Sequence, residues 1–201
     1  MASDELIPSF GNQVPSKREV LLDTALDLFA RHGYRGAGIN SILRESGVAK
    51  KTLYSHFPSK DDLIVAVIDY YGKKFIAFLA EELSGCGLEG EELLLFLFDA
   101  GHKWAKQNNY SGCMCINAIG EYGEDSTDVR IHCARFKTDL LQLIAFVCRQ
   151  CGAAAPSRLA AQLFILFEGA FVVEQIRRTG AAFGTAKETA SILFRENNRA
   201  I

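Results

Sequence analysis

Seven side chains within one short stretch, Lys50, Lys51, Thr52, Tyr54, Ser55, His56 and Lys60, bring cations, hydroxyls and an imidazole together. These groups hydrogen-bond phosphate oxygens and base edges. A lysine reaches a guanine edge or a phosphate, a threonine donates to a phosphate or touches a thymine methyl, and a tyrosine donates its hydroxyl to the sugar-phosphate backbone. The plainer reading is the solvated face of a small helix, which is often polar and basic. A second group surrounds two thiols. His102, Trp104 and Tyr110 lead into the irregular run NNYSGC, which ends at Cys113; Cys115, Glu121 and Tyr122 follow. A cysteine at a helix N-terminus faces the positive end of the helix dipole, which favours thiolate, and a reachable thiolate responds to electrophiles and oxidants. The alternative is a small buried residue at a helix start. Cys113 and Cys115 with His102, or with His132 and Cys133, also offer metal-ligand types, but no strong ligand spacing supports such a site, so no metal and no cofactor is expected.

The elements that must position these groups read as helical nearly throughout, with only four prolines to interrupt, which predicts an all-α fold of about nine helices. The first is expected over about 16–32, capped by Ser16 and stopped by Gly33. Short second and third helices are expected over about 39–46 and 50–56, joined by a turn in which Gly47 takes positive φ. Ser59 caps a long fourth helix, whose start Asp61 and Asp62 favour. Further helices are expected over about 91–107, 114–122, 126–151, 156–179 and 185–198. Two short helices across a glycine turn, behind a supporting first helix, form the helix-turn-helix geometry that lets a helix enter a major groove.

The charge distribution agrees. The chain of 201 residues carries a net −2, but 16–60 holds eight basic residues against four acidic ones, leaving a head of +4 and a remainder of −6. Composition is ordinary for a globular chain, 49% hydrophobic and 23% charged. Apolar runs are broken by Asp69, Glu91, Glu92, Glu168 and Glu174, so no membrane span is expected. Met1 to Val14 lacks periodicity and the character of a signal peptide, and reads as a flexible arm. Six cysteines without a secretory signal imply a reducing, cytoplasmic setting. No Gly-rich phosphate loop, HExxH pair, nucleophile elbow or dinucleotide fingerprint is present, so no catalytic residues are expected and the chain is read as no enzyme. A dimeric ligand carrier with a degenerate head remains the third class.

The segment LLDTALDLFARHGYRGAGINSILRESGVAKKTLYSHFPSKDDLIVAVI resembles the N-terminal domain of the TetR/AcrR family of regulators, most specifically in LFARHGY and SGVAKKTLYSHFPSKDDL. The resemblance implies that Lys50, Lys51 and Thr52 face bases or nearby phosphates while Tyr54, His56 and Lys60 hold the backbone. Where Gly38 and Ala49 stand, family members usually carry a hydroxyl residue, so the caps of the second and third helices are weaker here. The implied organisation is an arm (1–14), a DNA-binding helix-turn-helix domain (15–60), and a ligand-binding and dimerisation domain (61–201). The implied function is a sequence-specific transcriptional regulator, a repressor released from a palindromic operator on double-stranded DNA by a small apolar or electrophilic effector. The implied assembly is a homodimer through the last two long helices, for which Leu159, Leu163, Leu166, Gly169, Ala170, Val173 and Ile176 are candidates. SGCMCINAIGEYG resembles a stretch at the start of the sixth helix in one branch of the family, beside the ligand cavity and the hinge to the head.

Overall fold

The structure is a computed structural model describing residues 15–122 and 126–199. The expected arm at 1–14 lies outside the described residues. Among these there are nine α-helices and no strand: α1 (Lys17–Gly36), α2 (Ile39–Ser46), α3 (Lys50–His56), α4 (Lys60–Gly85), α5 (Gly90–Gln107), α6 (Met114–Tyr122), α7 (Thr127–Gln150), α8 (Pro156–Arg177) and α9 (Ala181–Arg199). The chain forms two compact units that do not follow the linear division at residue 60. One takes the described chain up to Lys74 together with the described part of Met114–Phe136, and the other takes Phe75–Cys113 and the described chain from Lys137 onward.

In the first unit, α1 starts with a reciprocal cap. Ser16 Oγ accepts from Glu19 N, and Glu19 Oε2 accepts from Ser16 N at 2.7 Å. Its inner face buries Leu21, Leu22, Ala25, Leu28 and Phe29. The expected stop at Gly33 is a break and not an end: Gly33 adopts φ 75°, ψ 165°, a region open essentially to glycine alone, and helical turn resumes to Gly36. α2 and α3 are too short to persist alone, and both pack on α1. Ile42, Leu53 and Phe57 are fully or almost fully buried there, each contributing about 1.5–3 kcal/mol. Gly47, at φ 65°, makes the left-handed turn between them. Ser59 and Asp62 cap each other at the start of α4, with Asp62 N donating to Ser59 Oγ and Ser59 N to Asp62 Oδ2. Farther along α4, Tyr71 packs edge-on against Phe136, Gly72 leaves no room for a Cβ against that ring, and His132 Nδ1 lies 2.7 Å from Asp69 Oδ1.

In the second unit α5, α8 and α9 pack pairwise around an aromatic core of Phe75, Phe98, Trp104, Phe167, Phe171 and Phe183. Gly101 is required because a Cβ there would stand 2.5 Å from the Phe167 ring. α9 begins at Ala181, four residues before the expected start. The reason is Glu174 of α8, fully buried, whose carboxylate accepts from the N–H groups of Thr179, Gly180 and Ala182. α8 itself ends at Arg177 because Arg178 turns left-handed. Asn197 of α9 returns the favour, its amide bonding both N–H and C=O of Ala155 before α8. Contrary to the expectation from its broken apolar runs, α8 is long and apolar enough by length and composition to cross a membrane, with a mean hydropathy of 1.6. One face of it forms this core.

Burial works against ionisation of Glu174, but the Ala182, Gly180 and Thr179 N–H groups outweigh it and hold the carboxyl below its ordinary range. A lowered folded-state pKa adds stability that is present above the ordinary carboxylate range and is lost as pH falls through it. Glu174→Ala is therefore expected to cost about 3 kcal/mol near neutrality and to flatten the acid limb of stability, read from denaturant midpoints between neutral and acid pH. Wild-type pH dependence retained in the variant would contradict this role.

Candidate nucleic-acid interface

α3 stands on α1 through Leu53 and turns its remaining side chains outward. Lys50, Lys51, Tyr54, Ser55 and His56 are exposed and Thr52 is half-buried. Among the described residues neither Lys50 nor Lys51 has a carboxylate within ion-pairing distance, and Lys50 Nζ lies over the Tyr54 ring. An unpaired ammonium in water is the cheapest cation to bring to a phosphate, because nothing but solvent must be displaced. Ser55 Oγ donates back to the Thr52 carbonyl at 2.7 Å. Lys60 differs from its neighbours: it is half-buried, burial pushes its pKa down, and Glu121 and Asp61 pull the other way. The caps of α2 and α3, Gly38 and Ala49, contribute no side-chain hydrogen bond. Arg31, by contrast, is tied to Asp27 and Glu45, which fixes the end of α2 against α1.

The residues singled out around the thiols divide between the two units. In the second unit, Trp104 is buried between Phe75 and Phe78, and His102 stacks on Phe183 while its Nε2 meets the Tyr110 hydroxyl at 3.0 Å. Asn109 and Tyr110 both adopt left-handed backbone, unusual for residues with a Cβ, and Gln175 pins the next turn through the Ser111 carbonyl. Cys113 is buried beside Lys137, whose Nζ lies 3.2 Å from its sulfur and also pairs with Glu168. Burial alone would pull the Lys137 pKa down; Cys113 and Glu168 outweigh it and leave it raised. In the first unit, Cys115 is buried and its carbonyl lies 3.8 Å from Cys133 Sγ, while Glu121 and Tyr122 lie against the end of α1. The six cysteines form no disulfide.

The pairing of Lys137 with Cys113 and Glu168 escaped the sequence reading because the partners lie far apart in the chain. The Glu121 contacts escaped it for the same reason. An open cleft of about 220 Å³ lined by Arg18, Asp62, Val65, Ala66, Asp69, Tyr70 and Lys73 was also unforeseen. Its carboxylates are already engaged, Asp62 with Ser59 and Asp69 with His132.

Residues 21–67 match the family model described as bacterial regulatory proteins, tetR family. That span includes α2, α3 and the whole basic face. This segment is of the tetR-family type. Among curated relatives, the chain is similar to the HTH-type transcriptional repressor ComR of Escherichia coli, 30% identical over 113 residues, covering 56% of this chain and 54% of the relative. It is also similar to the HTH-type transcriptional repressor NemR of E. coli, 28% identical over 114 residues, covering 56% and 57%. The chain thus spans about half the length of the curated relatives it matches. The fold is shared more widely: the reduced form of E. coli NemR superimposes with a TM-score of 0.74 at 21% identity, covering 87% of this chain and 94% of that one. A tetR-type regulator of Streptomyces avermitilis gives 0.74 at 26% identity, covering 92% and 99%. The family segment ends before Trp104, so the residues around the thiols owe nothing to it.

On duplex DNA, Lys51→Ala is expected to weaken binding and to flatten the dependence of log affinity on log salt by about one phosphate contact, measured by titration at two or more salt concentrations. A parallel shift with the slope intact would place Lys51 off the phosphate backbone.

Proposed function

We propose that the protein is a cytoplasmic, homodimeric, sequence-specific DNA-binding transcriptional regulator, a repressor released from a palindromic operator by a small apolar or electrophilic effector. The observation that carries the reading is the α3 face. Lys50, Lys51, Tyr54, Ser55 and His56 are exposed on a short helix that the Gly47 turn holds away from its support, and packing needs none of them. The head as a whole supports the same role, since α2, turn and α3 behind α1 are the parts of a helix-turn-helix. The relatives ComR and NemR are repressors by name, which favours repression.

A head of this size reads one half-site, so the proposal needs two copies. α8 supplies a surface for the second: Ile165, Gly169, Val172, Val173 and Ile176 lie exposed at helical spacing, Ile165 by 70% and Ile176 by 83%, and Ile192 of α9 is exposed by 62%. Of the residues first considered for this surface, Leu159, Leu163 and Ala170 belong to the monomer core, whereas Gly169, Val173 and Ile176 face outward. An apolar stripe of this kind on a helix already half-packed is what an isologous four-helix interface covers.

The effector reading rests on Cys113. Cys113 is buried, not the reachable thiol expected, but the Lys137 ammonium 3.2 Å from its sulfur is placed to stabilise a thiolate there, and Cys113 is one peptide bond from the first residue of α6. Enlarging that residue by alkylation or oxidation displaces the start of α6. N-ethylmaleimide is expected to release the wild-type dimer from operator duplex, and Cys113→Ser to bind the duplex normally while resisting release. Equal release of both proteins would remove Cys113 from the mechanism.

A further inference from the structure

Glu121, near the C-terminal end of α6, is the point at which α6 grips the head. Its Oε1 accepts from Tyr34 N at 2.8 Å and its Oε2 from Arg35 N at 2.7 Å. These are the first two N–H groups of the turn that restarts after Gly33, the position at which a helix start takes a capping acceptor. Gly33 is shaped to this contact, since its backbone conformation suits glycine alone and a Cβ there would stand 2.8 Å from Glu121 Oε1. The other end of α6 is held by the same residue: the fully buried Tyr34 donates its hydroxyl to the Met114 carbonyl at 3.1 Å. The Tyr122 ring meets Tyr34 edge-on and lies under the Arg35 guanidinium, and Lys60, at the start of α4, feels the Glu121 charge. α1 in turn carries α2 and α3.

We infer that Glu121 is a positioning residue for operator binding. Its carboxylate caps the broken end of α1, and through that cap the placement of α6 sets the placement of the recognition helix, although Glu121 itself touches no DNA. The inference deepens the proposed function and rests on the head being an operator-binding unit. Both hydrogen bonds sit on one carboxylate, so they hold together while α6 keeps its register and weaken together as it leaves it. A displacement that begins at Met114 breaks the Tyr34 hydroxyl bond at one end of α6 and the carboxylate cap at the other.

The test uses the full-length protein, an operator duplex and two measurements, amide hydrogen exchange and DNA affinity across a salt series. Glu121→Gln keeps the shape of the side chain but sets an NH2 group against an N–H donor. It is expected to speed exchange at Tyr34 and Arg35 by about tenfold or more, and to weaken operator binding by about tenfold with the salt slope unchanged. Glu121→Ala should exceed both effects. A residue of purely structural use would lower thermal stability and leave the affinity of the folded protein alone. Affinity within about twofold of wild type despite faster exchange would overturn the inference, as would unchanged exchange at both amides. In wild type treated with N-ethylmaleimide, the same two amides should lose protection, and in Cys113→Ser they should keep it. Alkylation that abolishes operator binding while both amides stay protected would overturn the route through Glu121. Alkylation that alters neither would defeat the Cys113 reading alone, and the affinity of Glu121→Gln would then decide the inference by itself.

Discussion

Helices of seven and eight residues do not persist in water, because each fixes too many dihedrals for the few hydrogen bonds it closes. α2 and α3 therefore have no geometry of their own. They take it from α1, through Ile42, Leu53 and Phe57 in its groove and through the Arg31 pairs at its edge. α1 is itself broken at Gly33, and its last turn is completed by a carboxylate from α6. The outward face of Lys50, Lys51 and Tyr54 is thus the end of a dependence that runs from α6 through α1 to α3.

The second unit solves the same physical problem in the same way. Glu174 of α8 is buried and satisfied by the N–H groups at the start of α9, and Asn197 of α9 satisfies the start of α8. Helix starts leave N–H groups without partners, and here side chains remote in sequence supply them. Such caps define how neighbouring helices meet more sharply than apolar packing does, since a hydrogen bond tolerates less displacement than a contact between methyl groups. They also make positions sensitive: a buried carboxylate that loses its donors must either repay its desolvation or take up a proton.

What could be read from the residues follows this division between local and remote. α2, α3 and α6 fall where periodicity and turn glycines set them, because Gly47 and the polar run before Met114 act within a few residues. The Ser16 and Ser59 caps were legible for the same reason. The resumption of α1 beyond Gly33 was not, since its cap comes from Glu121, 87 residues from Tyr34. The start of α9 was misjudged because Glu174 belongs to the preceding helix. Lys60 looked like its exposed neighbours until α4 was in place to half-bury it. In the thiol region, chain spacing brought Cys113 to notice, but the residues that define its chemistry, Lys137 and Glu168, sit on two other helices. The stripe on α8 was read correctly as apolar, yet only packing separates Leu159 and Leu163, which face inward, from Ile165 and Ile176, which face out.

The central claim is that two copies of this head, joined through α8 and α9, read a two-fold DNA site. Selection from a random duplex pool by the purified full-length protein, with sequencing of the bound fraction, tests it most directly. The account predicts enrichment of one palindrome whose half-sites lie about 34 Å apart, one helical turn of DNA. Recovery of a pool with no enriched sequence, from protein that is folded and dimeric, would contradict it.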